Sequence, residues 1–87
     1  MSKLPVAPFW FKQRQGQMEA IGDHVLRLTA PNLPEAYIAI EQDNGHWKAA
    51  LREKADGPDV EVSRHCYDTT FDAWNAAFEI YRNRIVI

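Results

Sequence analysis

The sequence predicts an α+β fold, in which an antiparallel sheet packs on one C-terminal helix. Three observations predict it. Asn44-Gly45 lies between two alternating apolar segments and is typical of a two-residue hairpin turn. A second turn at residues 55–58 follows one strand length later, and an aromatic series near the C-terminus repeats at helical spacing. The 87 residues are expected to form a single domain, 1–87.

Composition narrows the class of protein. With 46% hydrophobic residues, 25% charged residues and a net charge of -2, the chain is typical of a globular domain. Its single cysteine, Cys66, excludes an internal disulfide. The sequence contains neither the roughly 20 consecutive apolar residues of a membrane span nor a signal-peptide apolar region. We therefore expect a cytoplasmic protein that does not contact a membrane.

The first 30 residues give the least clear pattern. Residues 1–8 contain two prolines and are expected to form a loose leader. We interpret residues 9–30 as strands that begin at Phe9-Trp10-Phe11 and turn at Gly22-Asp23, so that the sheet has five or six strands. A helix over 17–29 is the alternative, because four apolar residues there keep helical spacing: Met18, Ile21, Val25 and Leu28.

Residues 36–67 predict a three-stranded antiparallel meander, joined to the first portion by a proline-containing loop at 30–34. A two-residue turn at Asn44-Gly45 fixes the register of its first two strands and separates an apolar face from a charge-paired face. The predicted pairs are Asp43–His46, Gln42–Trp47, Glu41–Lys48, Ile40–Ala49, Ile38–Leu51 and Tyr37–Arg52.

The turn at 55–58 sets the register of the third strand. A four-residue loop places Lys54 opposite Asp59. The same register predicts Arg52 opposite Glu61 on the outer face, and Leu51–Val62 and Trp47–Cys66 as pairs on the face toward the core. Cys66 is therefore expected to be a small buried side chain.

Residues 69–84 predict the C-terminal helix. Thr69 precedes the apolar series as a helix N-cap, and Asp72 follows three residues later. Arg82 and Arg84 complement the helix dipole near its end. The residues predicted to share the buried face of this helix are Phe71, Trp74, Phe78, Tyr81 and Ile85.

No group of residues predicts catalysis or metal binding. His24, His46, His65 and Cys66 lack the spacing of metal ligands, and His65 and Cys66 leave opposite faces of a predicted strand. The sequence also lacks a nucleophile elbow and a glycine-rich phosphate loop. We expect no enzymatic activity, no metal and no cofactor.

The outer face of the meander suggests a second function, nucleic-acid binding. Three basic residues of the middle strand, together with Arg64 of the third predicted strand, are candidate phosphate contacts: Lys48, Arg52, Lys54 and Arg64.

The pattern Gly45-His46-Trp47-Lys48-Ala49, followed by Tyr67-Asp68-Thr69 and an alanine-rich helix, resembles the strand–strand–strand–helix modules of AP2-type and integrase arm-type DNA-binding domains. The resemblance depends on Gly45, Trp47, Thr69 and Ala76. It implies a sheet face that carries basic residues into the major groove. Residues 45–84, however, carry six Lys or Arg against seven acids, whereas phosphate binding favours a basic surface.

The chain ends provide the candidate surface for the function that we expect first, protein binding. In a strand, Trp10 points away from the face shared by Phe9 and Phe11, and it is exposed unless the proline-containing leader or the 30–34 loop packs over it. Three apolar residues end the chain, and we expect them to dock on the core, to add an edge strand or to meet a second subunit. The candidate binding residues are Trp10, Ile85, Val86 and Ile87, and a homodimer is the expected assembly.

Overall fold

The computed structural model describes residues 5–86, whose five strands form one antiparallel sheet in the order β1-β2-β3-β4-β5. Two helices complete the described fold, and the second continues into a π-helical turn, Arg82–Val86. The predicted α+β fold, with an antiparallel sheet and a C-terminal helix, is confirmed. The elements in chain order are α1 (Phe9–Gln13), β1 (Gln17–Gly22), β2 (Val25–Thr29), β3 (Ala36–Asp43), β4 (His46–Arg52), β5 (Asp59–Val62) and α2 (Thr70–Tyr81).

One hydrophobic core lies between the sheet and the helices. Thr69 is the N-cap of α2 as predicted, since its hydroxyl accepts a hydrogen bond from the backbone N–H of Asp72 at 3.1 Å. Helix α2 then packs across β3 and β4. The larger buried side chains are Phe11, Leu26, Leu28, Ile38, Ile40, Leu51, Trp74, Phe78 and Tyr81.

The β3–β4 hairpin has the predicted register at all six pairs, from Asp43–His46 to Tyr37–Arg52. Asn44 and Gly45 have φ angles of 53° and 83°, as the two central residues of a type I′ turn require. This turn chemistry, together with the apolar alternation, explains why the register could be predicted.

Residues 17–29 form strands β1 and β2, so the strand interpretation is confirmed and the helix alternative is wrong. The turn between them, however, is Asp23-His24 rather than Gly22-Asp23. A register shift between Ala20 and Gly22 leaves Gly22 paired with Val25, inside the ladder.

The prediction of a strand at Phe9–Phe11 is wrong, because these residues form α1. The Pro8 carbonyl accepts hydrogen bonds from the N–H groups of Phe11 and Lys12, both at 3.1 Å, and so starts the helical turn. Residues two apart share a face in a strand but lie on nearly opposite sides of a helix. Phe11 is therefore fully buried while Phe9 is exposed.

The predicted register of the third strand is wrong by one residue. Ala50 pairs with Val62, Leu51 with Glu61, and Trp47 with Tyr67 by an isolated bridge. A one-residue slip moves each side chain to the other face, so Val62 is exposed rather than buried. Cys66 is also exposed, which corrects its predicted place in the core.

A register shift between Leu51 and Arg52 places Asp59 opposite Arg52. The predicted pairs Arg52–Glu61 and Lys54–Asp59 are therefore wrong. The turn residues 55–58 do not reveal this irregularity, because it lies inside the strands that they connect.

The C-terminal helix buries Trp74, Phe78 and Tyr81 as predicted, but Phe71 in its first turn is 65% exposed. The buried face of α2 thus begins at Ala73. Beyond Tyr81 the chain remains helical to Val86 instead of adding an edge strand. The predicted leader lies partly outside the described residues; within it, residues 5–8 have no regular structure, and Ala7 packs against the core.

Candidate binding surfaces

An aromatic cluster joins the two ends of the described chain. The Phe11 ring lies 5.7 Å from the rings of Phe78 and Tyr81, measured between centroids. The Trp10 ring stacks on Tyr81 at 6.2 Å with an interplanar angle of 21°. These are favourable aromatic separations, so the cluster fixes α1 against the end of α2.

Trp10 does not project freely into solvent, because three groups surround it. It is half-buried between Tyr81 and Phe11, and the guanidinium carbon of Arg82 lies 5.8 Å from its ring centroid. Ile85 and Val86 are half-buried against the core in the turn that follows Arg82. The structure therefore brings Trp10 to the helix end that carries Ile85 and Val86, whereas Ile87 lies outside the described residues.

Two apolar side chains within four residues of Trp10 in the sequence remain exposed. Val6 is 73% exposed and Phe9 is 74% exposed, the largest fractions among the exposed large hydrophobic residues. The terminal surface is defined here as Val6, Phe9, Trp10, Ile85 and Val86. Sequence reasoning missed Val6 and Phe9, although a proline directly before an aromatic run is a signal for a helix start.

The Tyr81 hydroxyl is buried beneath the terminal surface. It has no hydrogen-bond partner within residues 5–86. Burial raises the pKa of Tyr81 above its ordinary value, and the nearby positive charge of Arg14 lowers it in part. The cluster thus contains one unsatisfied polar atom, which is a destabilising element of an otherwise apolar site.

The sheet face opposite α2 carries a row of polar residues across all five strands. Successive pairs link Glu19, Arg27, Tyr37, Arg52 and Asp59. An ion pair lies at each end of the row: Arg27–Glu19 at 3.4 Å and Arg52–Asp59 at 2.7 Å. The basic groups of this row are therefore already neutralised.

Tyr37 lies in the middle of this row. Its hydroxyl donates a hydrogen bond to the Glu35 carboxylate. That bond, above all, raises the pKa of Tyr37 above its ordinary value. The phenol is thus held neutral and offers no charge to a ligand of this face.

The four predicted nucleic-acid contacts do not form one basic surface. Lys48 forms an ion pair with Asp43 at 3.6 Å, and Arg52 pairs with Asp59. Lys54 lies two residues after β4, beside a small cavity of about 170 Å³, and Arg64 lies two residues after β5. Two of the four are thus engaged by acids, and the other two lie apart.

The three histidines occupy separate environments. The His24 ring lies 4.9 Å from the Trp47 ring, and His46 Nδ1 lies 3.0 Å from an Asp68 carboxylate oxygen. His65 is exposed in the segment after β5. Among the residues that the structure describes, no three His, Cys, Asp or Glu side chains form a group able to hold a metal ion.

An edge groove of about 610 Å³ separates α2 from the chain that follows β4. It exists because α2 packs on β3 and β4 and leaves β5 uncovered. Half-buried apolar side chains from α2 form its floor, and polar groups form its rim. The lining residues are Glu61, Val62, Ser63, Arg64, His65, Tyr67, Ala76, Glu79, Ile80 and Asn83.

Ser63 shapes the wall of the edge groove. Its N–H donates to the Ala49 carbonyl at 2.8 Å, and its hydroxyl accepts from the Ala49 N–H at 3.1 Å. The same hydroxyl donates to the His65 carbonyl at 2.9 Å. The side chain thus takes the place of a strand carbonyl and lets residues 64–66 leave the sheet before Tyr67 rejoins it.

Comparison with known proteins gives no match to this chain, whether with protein-family models, curated proteins or solved structures. Within residues 5–86, no helix has the length and apolar character needed to cross a membrane.

Proposed function

We propose that this chain is a non-enzymatic, cytoplasmic protein-binding domain that forms a homodimer through its terminal surface. The observation that carries the proposal is the exposure of Val6 and Phe9 beside the aromatic cluster. Exposed apolar patches are typical of protein interaction sites, because association removes them from water. Val6 and Phe9 lie three residues apart in the sequence, on the two sides of Pro8.

The composition of the N-terminal segment supports a second copy as the partner. From Pro5 to Phe11 the sequence has no charged residue. Two copies related by a two-fold axis therefore bring these segments together without burying a charge of their own, while Arg82 keeps its place over the Trp10 ring. The first cations after this segment, Lys12 and Arg14, are exposed and remain at the rim of such an interface.

Nucleic-acid binding has less support, since Lys48 and Arg52 are paired with acids and the chain carries a net charge of -2. A salt-sensitive mobility shift of a random DNA duplex would favour that alternative over the proposed one.

Sedimentation equilibrium tests the proposed homodimer. We expect a species of twice the 10.0 kDa chain mass at micromolar concentration, and a shift to monomer in Phe9→Ser. Phe71→Ser is the matched control, because Phe71 is also an exposed phenylalanine in the first turn of a helix, but lies away from the terminal surface. A 10.0 kDa species at high micromolar concentration, or equal weakening by both substitutions, would overturn the proposal.

A further inference from the structure

The geometry of the edge groove points to a second binding activity: we propose that the groove takes an extended peptide segment of a partner protein, which adds to β5 as a sixth strand. The site does not overlap the terminal surface. Within residues 5–86 it combines a strand edge without a partner strand, an apolar floor and a cation without an ion pair, and each of these recognises a different part of such a peptide.

The free edge is centred on Val62. Ser63 and Ala49 lie at a hydrogen-bonded position, since the Ser63 N–H donates to the Ala49 carbonyl. Positions alternate along an antiparallel pair, so the preceding pair, Val62–Ala50, is not hydrogen-bonded. The Val62 N–H and C=O therefore point away from β4, toward the open side of the sheet, where a peptide backbone can bond to both.

The floor of the groove suits an apolar side chain. Ala76 and Ile80 are one turn apart on α2, and both are half-buried. In an added strand, the two residues on either side of the one opposite Val62 face the groove. One of them lies over Ala76 and Ile80 and removes their remaining apolar area from water.

The rim favours a carboxylate on the other groove-facing residue. Arg64 and His65 lie at the end of the groove near Tyr67. Among residues 5–86, no carboxylate forms an ion pair with Arg64. The carboxylates that line the groove are Glu61, which is paired with Arg84 at 3.3 Å, and Glu79, which is exposed on α2. The available positive charge is thus at the Arg64 end, and an acidic residue of the peptide meets it there.

A second copy of this chain fits the groove less well than a peptide does. Helix α2 lies over β3 and β4, about one and a half strand spacings from β5. Two sheets joined through their β5 edges would hold the two α2 helices roughly 19 Å apart, well beyond the 8–10 Å typical of packed helices. Both grooves would therefore stay unfilled.

The test uses the blocked peptide acetyl-Thr-Leu-Thr-Asp-Thr-amide, titrated into the isotope-labelled full chain and followed by NMR. The central Thr is placed opposite Val62, with Leu and Asp facing the groove. We expect saturable shifts of the Val62 amide and the Ile80 methyl groups. N-methylation of the central Thr is expected to weaken binding about tenfold, because it removes a backbone donor but no side chain. Lys in place of Asp is expected to weaken binding as well.

Two protein variants locate the site. Ala76→Glu fills the groove and should abolish the shifts, whereas Asn75→Glu adds the same charge at an exposed neighbouring position and should leave them unchanged. Phe9→Ser should bind the peptide like the wild type, which separates this site from the proposed homodimer. The proposal is overturned if the peptide causes no shift at Val62 and Ile80 at millimolar concentration, or if the N-methylated peptide binds equally well. It is also overturned if the Val62 shifts depend on protein concentration alone, which would show that a second copy occupies the edge.

Discussion

The two flanks of helix α2 differ in what covers them. On one flank, Phe11 and Trp10 from α1 pack against Phe78 and Tyr81 and fill the space between helix and sheet. On the other flank, Ile80 is left half-buried at the edge groove. The same helix thus has one side inside the core and one side open to a ligand.

The difference follows from the widths of the elements. Five strands spaced about 4.8 Å apart form a sheet roughly 19 Å wide, whereas a helix with its side chains is about 10 Å across. One helix therefore cannot cover this sheet. The short helix α1 places Phe11 beside Gly16, directly before β1, whereas within residues 5–86 the edge groove stays open beside β5. We therefore expect a ligand to bind beside β5, where the helices leave the sheet uncovered.

The largest expected difference between the flanks is in stability. Phe11→Ala should lower the free energy of unfolding by about 3–5 kcal/mol, because it leaves a cavity among buried rings. Ile80→Ala on the open flank should cost about 1 kcal/mol, because its side chain is already half-exposed. Urea denaturation of both variants measures this difference. Equal losses would show that the two flanks are packed alike.

The glycine before β1 offers a finer test of the filled flank. A Cβ atom at Gly16 would lie 2.5 Å from the Phe11 ring, so Gly16→Ala must displace that ring and should cost about 1–3 kcal/mol. Gly22→Ala is the matched control, since a Cβ there meets only Val25 at 3.9 Å. Its denaturation midpoint should lie close to that of the wild type. A Gly16→Ala midpoint equal to the control's would contradict the close approach of Phe11.

Tyr81→Phe tests the buried hydroxyl of the filled flank. At neutral pH, we expect unchanged stability or a gain of up to about 1 kcal/mol, because the hydroxyl has no hydrogen-bond partner among the described residues. A loss of stability at neutral pH would show that the hydroxyl is hydrogen-bonded in solution.

The effect of Tyr81→Phe on stability should also depend on pH. Burial raises the pKa of Tyr81 in the folded protein, whereas the unfolded chain titrates near pH 10. Between these two values the unfolded state has lost the proton and the folded state keeps it, so the wild type loses stability as pH rises above about 10. The difference in urea midpoint between Tyr81→Phe and the wild type should therefore widen in that range. A constant difference would mean that the Tyr81 pKa is the same in both states.

The smallest expected effect concerns the ion pair at one end of the edge groove. Arg84 and Glu61 are both partly exposed, so Arg84→Gln should change stability by less than about 1 kcal/mol. The effect should shrink further in high salt. Thermal denaturation at low and high ionic strength measures it. A loss of several kcal/mol would show that the groove depends on this pair.

Sequence reasoning described best the part of the fold between the two flanks, the β3–β4 hairpin and helix α2, which local signals organise. The Asn44-Gly45 turn specified the β3–β4 register, and Thr69 marked the start of α2. Both depend on backbone geometry that particular residue types favour within a few positions of themselves. The core face of α2 from Trp74 onward followed from helical spacing for the same reason.

The errors lie where tertiary packing overrides local preference. The aromatic residues of α1 favour a strand in isolation, but burial of Phe11 beside Phe78 requires a helical turn. The register shift before Arg52 gives no compositional signal, yet it moves Val62 outward and so creates the edge of the groove. The sequence therefore could not predict the candidate peptide site. It did identify Trp10 as a candidate binding residue, but it could not predict that the Trp10 ring stacks on Tyr81.

Amide hydrogen exchange at Val62 and Ser63 in the full chain tests the central claim, that the sheet is open beside β5. The Ser63 N–H is bonded to the Ala49 carbonyl and should be protected. The neighbouring Val62 N–H points to the free edge and should exchange like an unstructured peptide. Protection of Val62 equal to that of Ser63, without added peptide, would show that the edge is already covered and would contradict the account.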